Sequence, residues 1–93
     1  MRVVWTTEAE QDRAEIWDHI ALDSLSAAIR IDELFSNSAS LLAAYPMIGK
    51  TGKIPGTREL ISHESYRLVY EIEGETVWIL AIVHTARLWP PSR

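Results

Sequence analysis

An α+β fold with the order β-α-α-β-β-β, an N-terminal helical hairpin packed on an antiparallel sheet, is predicted by three features of this 93-residue sequence. Two long stretches with helical apolar spacing follow one another in the first half. A proline and a Gly-rich loop then interrupt the chain. The second half alternates or clusters β-branched and aromatic residues between tight turns, as strands do. The length predicts one domain, residues 1–93,.

The first strand is Arg2–Thr6, short and β-branched,. Thr7-Glu8-Ala9-Glu10 has the form of a capping box, with the Thr7 hydroxyl accepting from the N3 amide and Glu10 reaching back,. Ala9, Ile16, Trp17 and Ile20 share one helical stripe, which Arg13 interrupts, so a helix is predicted over residues 7–22,. Asp23-Ser24 ends it and caps the next. Ala27, Ile31, Leu34, Phe35, Leu41, Leu42 and Tyr45 follow a 3.6-residue period, giving a second helix from about Leu25 to Ala44, stopped by Pro46,. Two helices joined so tightly form an antiparallel hairpin.

Met47–Gly56, with Gly49, Gly52, Gly56 and Pro55, reads as a loop,. Thr57–Ser62 is the next strand. Tyr66–Ile72 places Tyr66, Leu68, Tyr70 and Ile72 on one face and Arg67, Val69 and Glu71 on the other,. Glu73-Gly74 makes a hairpin turn. Thr76–His84 is apolar on both faces, as a central strand covered on each side would be. Pro90-Pro91 ends strand structure,.

Composition narrows the function. There is no cysteine, so disulfides and cysteine metal sites are excluded,. Nothing at the start resembles a signal peptide, and the longest apolar run, Val77–Val83, is too short to span a bilayer; a cytoplasmic protein without membrane association is expected,. The formal net charge is −4. Residues 1–46 carry three arginines and eight carboxylates, whereas residues 47–93 carry six cations and five glutamates. Bulk attraction to nucleic acid is therefore excluded, and the acidic half suits a basic protein partner. Four Trp and three Tyr are many large rings for this length; either they anchor a protein contact or they pack in the core,.

Familiar catalytic motifs are missing. Gly49-Lys50-Thr51-Gly52 lacks the upstream glycine and preceding strand of a phosphate loop,. His19, His63 and His84 have no ligand-like spacing, so no metal and no cofactor is expected,. A polar set remains on the strand half: Arg58, Glu59, His63, Arg67, Glu71, His84 and Arg87. Metal-free phosphodiester cleavage needs a base for the 2′-hydroxyl, cations for the phosphorane and an acid for the leaving oxygen. His or Glu with two Arg would fill those roles, and Trp89 or Tyr66 would stack a base. Cross-strand pairing of Arg67 with Glu59 or Glu71 is the structural alternative.

Taken together, Pro46-Met47-Ile48-Gly49, Gly56-Thr57-Arg58-Glu59-Leu60, Tyr66-Arg67-Leu68-Val69-Tyr70 and His84-Thr85-Ala86-Arg87-Leu88-Trp89-Pro90 resemble the RelE/ParE superfamily of toxin–antitoxin modules, especially its RelE/StbE-like branch. The hairpin with Ile16-Trp17-Asp18-His19-Ile20 and Ser26-Ala27-Ala28 is similar as well. The resemblance implies a growth-arresting toxin of a type II system, neutralised by a cognate antitoxin that wraps around it and through which alone operator DNA is bound. It implies one of two targets: DNA gyrase, inhibited without a reaction, as in ParE-like members, or messenger RNA cut on the ribosome, as in RelE-like members. In the RNase reading Arg67 and Arg87 stabilise phosphate charge and His84 is the acid or base. Candidate contacts for target or antitoxin are Arg58, Trp17, Trp78 and Trp89. Ribosome-acting relatives are usually strongly basic and have a tyrosine near the C-terminus; this chain is acidic and carries Trp89 there, which exchanges no proton.

Overall fold

The computed structural model describes residues 1–91. The elements are β1 (Arg2–Trp5), α1 (Thr7–Ala21), α2 (Leu25–Ala44), β2 (Lys50–Thr51), β3 (Thr57–His63), β4 (Tyr66–Glu73) and β5 (Thr76–His84). They form one sheet in the order β1-β5-β4-β3-β2. The expected α+β hairpin-on-sheet arrangement is present, with two differences. The sheet is mixed rather than antiparallel, because β1 runs parallel to β5 with Val3 beside Val77 and Trp5 beside Ile79. The two helices carry the chain across the sheet between β1 and the meander, and that crossover is what a parallel pairing requires. The loop expected over Met47–Gly56 also contains β2, which pairs Lys50 with Glu59 and Thr51 with Arg58.

Local chemistry explains the helix ends. The N-cap of α1 is Thr6, one residue earlier than the predicted Thr7, and its hydroxyl accepts from the Ala9 amide at 3.1 Å. The same hydroxyl donates to Leu80 O at 3.3 Å, which ties the helix start to β5. Ser24 caps α2 by accepting from the Ala27 amide at 3.2 Å. Arg13 joins the helices: it contacts Asp32 through Nε and Nη2 at 2.6 and 3.0 Å and donates to Ser36 Oγ at 2.7 Å.

Both helices lie on one face of the sheet. Ala9, Phe35, Leu42, Tyr66, Leu68, Tyr70, Val77, Ile79 and Ile82 form the buried core between the layers. The predicted alternation of β4 holds, with Tyr66, Leu68 and Tyr70 facing the helices. A β-bulge at Leu80 separates the pairs Tyr70–Ile79 and Val69–Ala81. It switches the phase of β5, so that Ile79 and Ile82 both face the core. β5 is central, but helices cover only one of its faces. Its far-face apolarity instead accompanies Val69, fully buried, and Val83 at 7% exposure. Among the described residues no helix is long and apolar enough to cross a membrane.

Candidate functional site

The helix-side end of β4 and β5 forms a cleft of about 260 Å³ lined by Asp12, Glu15, His19, Tyr66, His84 and Arg87, among others. Strand register builds it. Tyr66 and His84 are cross-strand partners, and their rings meet edge to face at 5.3 Å. Tyr66 is held from the other side by Phe35, again edge to face, at 5.8 Å. The His84 Nδ1 accepts from the Ala86 amide at 3.1 Å, so Nε2 carries the ring N–H and is the nitrogen left to donate to a ligand,.

Asp12 closes the cleft from α1. β1 ends at Trp5, so the β5 edge beyond Ile79 lacks a strand partner there among the described residues. Asp12 replaces one, accepting from the Ile82 amide through Oδ2 at 3.1 Å. Burial pushes the Asp12 carboxyl above its usual range. The Ile82 amide opposes that shift, Glu15 adds to it, and Arg87 and Glu8 act more weakly in opposite senses,.

Arg67 lies elsewhere. Successive residues of a strand point to opposite faces, so if Tyr66 turns toward the helices Arg67 turns away. On that far face Arg67 Nε lies 3.0 Å from Glu59 Oε1, with side-chain exposures of 15% and 4%. The Nε–H is poorly aligned on the oxygen, so the contact is an ion pair without a formed hydrogen bond,. The other Glu59 oxygen accepts from the Lys53 amide at 3.3 Å. Of the three residues expected to share catalysis, the fold therefore brings His84 and Arg87 together and places Arg67 across the sheet.

The expected contact residues also separate. Arg58 donates to Gly49 O at 2.6 Å and Met47 O at 3.3 Å, so it shapes the loop after α2. Tyr70 completes that clamp: its hydroxyl donates to Pro46 O at 2.7 Å and accepts from the Gly49 amide at 2.9 Å. Burial raises the Tyr70 hydroxyl pKa. Trp17 is half-buried in a groove between the helices and β1. Trp78 is half-buried on the far face, beside Glu71 and Val4 in register. Trp89 is half-buried too, and its indole Nε1 is shielded from solvent and finds no acceptor among the described residues. None of the three is wholly core. Sequence reasoning missed Asp12, Glu15 and His19. Asp12 was legible as a carboxylate between Ala9 and Ile16 on the apolar stripe of α1.

A helical hairpin thus lies on one face of a small mixed sheet, with a polar cleft at the end of its last strand. Residues 3–89 match the family model of the ParE toxin of the type II toxin–antitoxin system parDE, and the chain belongs to that family. It is 34% identical over 90 residues to "Putative toxin Y4kP" of Sinorhizobium fredii (strain NBRC 101917 / NGR234), covering 96% of this chain and 93% of that protein. A solved structure of the chromosomal ParDE toxin–antitoxin system from P. aeruginosa superposes with a TM-score of 0.78 at 24% identity, over 90% of this chain and 95% of that one. A YoeB/ParE toxin from Agrobacterium tumefaciens superposes with a TM-score of 0.67 at 20% identity, over 90% of this chain and 98% of that one. These two likenesses are of fold.

Proposed function

We propose that this ParE-family toxin arrests growth by binding DNA gyrase without catalysing a reaction, and that a cognate antitoxin neutralises it. One observation carries the reading: Arg67 is committed to Glu59 on the far face, while His84 and Arg87 lie on the helix side. Phosphodiester cleavage needs its cations and its acid or base around one phosphorus. A cation already paired with a buried carboxylate offers little field to a phosphate. The acidic charge balance supports the same reading, because a ribosome-acting nuclease approaches dense phosphate,.

The test is a supercoiling assay with purified gyrase. Added toxin is expected to block supercoiling or trap cleaved DNA, and induced cells to filament. Normal supercoiling, with immediate translation arrest and cut messages, overturns the proposal.

One feature favours the second reading, a RelE-like ribosome-dependent endoribonuclease. The free Nε2 of His84 shares a cleft with the exposed Arg87. Message cleavage that disappears in both His84→Ala and Arg87→Ala is the result that reading requires.

A further inference from the structure

On the side of α1 away from the His84 cleft, α1, α2 and β1 line an open, shallow groove of about 420 Å³. Trp5 and Trp17 supply its aromatic surface, and Glu10, Asp18 and Asp32 its carboxylates. We propose that this groove seats a cationic, extended segment of the antitoxin, with an arginine side chain on the aromatic surface between Glu10 and Asp18. The proposal rests on the toxin–antitoxin reading above and identifies where and by what chemistry the partner is held.

Three observations carry it. First, the groove already accommodates one guanidinium. Arg13 lies over the Trp5 ring at 4.8 Å while Asp32 holds it. The surface thus has the geometry for cation–π recognition. Second, the charge left over is negative. Arg13 neutralises Asp32, whereas Glu10 and Asp18 are exposed and form no ion pair among the described residues. A neighbouring cation is attracted, and a nucleic acid or acidic peptide repelled. Third, the groove adjoins an unpaired sheet edge. Arg2 and Thr6 donate inward to Glu75 O at 3.2 Å and Ile79 O at 3.0 Å. By alternation Val3 and Trp5 turn their main-chain groups outward, where no strand follows β1 among the described residues,. An extended segment finds backbone partners there while its side chains enter the groove.

The probe is the protein encoded by the adjoining reading frame, expressed and purified on its own and bound to the full-length toxin. The variant Glu10→Lys/Asp18→Lys reverses two exposed helix positions; circular dichroism confirms folding. Expected is about tenfold weaker binding at low salt, mostly through slower association, with a shallower salt dependence. Glu33→Lys reverses an exposed carboxylate outside the groove and is expected to leave binding within about twofold. In wild-type toxin, the indole N–H resonances of Trp5 and Trp17 should shift on adding the partner. Unchanged or tighter binding by the double reversal, or unmoved indole signals in a formed complex, overturns the groove assignment. Failure of the wild type to bind this protein at all overturns the partnership, and the groove with it.

Discussion

Cutting the Glu59–Arg67 pair from one side separates a structural arginine from a catalytic one. In Arg67→Ala the Glu59 carboxylate, 4% exposed, keeps only the Lys53 amide as a donor among the described residues. Removing one partner of a buried ion pair costs about 3–5 kcal/mol, and the 15% exposure of Arg67 points to the lower end, about 3 kcal/mol,. For a domain near this size, each kcal/mol moves Tm by about 4–8 °C, so a fall of about 12–24 °C is expected. Urea unfolding measures the free energy, and a thermal scan measures Tm. Arg67→Met combined with Glu59→Gln removes both charges and keeps an acceptor for Lys53. That double variant is expected to recover to within about 1 kcal/mol of wild type. Under the gyrase reading its toxicity recovers with its stability. Two results refute the reasoning: Arg67→Ala within about 0.5 kcal/mol of wild type, or a stable double variant without toxicity.

Tyr70→Phe removes a buried hydroxyl that serves Pro46 O and the Gly49 amide, and should cost about 1–3 kcal/mol by denaturant unfolding,. Gly49→Ala should be destabilising too, because an added Cβ lies 2.6 Å from the Tyr70 hydroxyl and 2.9 Å from the Glu59 carbonyl oxygen; an unchanged midpoint counts against this packing,. Thr6→Ala loses the α1 cap and should cost about 1 kcal/mol in the same assay,. Because burial holds the folded Asp12 carboxyl above the ordinary carboxylate range, its protonated form favours folding,. That contribution is full below the unfolded value and is lost as pH rises through the raised one. Asp12→Asn should therefore gain stability relative to wild type as pH rises through that window, and a pH-independent difference between the two would contradict the assignment.

How much was legible from the chain follows from the range of each interaction. Helical periodicity and Pro46 are local, so α2 appears over Leu25–Ala44 as predicted. The α1 cap shifts from Thr7 to Thr6 because two adjacent threonines offer the same chemistry, and contact with Leu80 O favours the first. The alternation of β4 is equally local, and it already separates Tyr66 from Arg67. What that alternation cannot tell is which far-off residue each side meets.

The amino-acid order by itself determined the helical hairpin, the three long strands, the polar inventory and the negative balance, since each depends on neighbours along the chain. Only the tertiary structure decided that β1 runs parallel to β5, that the Leu80 bulge changes the phase of the last strand, and that Asp12 caps the Ile82 amide seventy residues away. It also paired Arg67 with Glu59 on one side of the sheet while His84 and Arg87 met on the other. Register and layer assignment arise from contacts between distant segments, and a residue's charge is available for function only when such contacts leave it unspent.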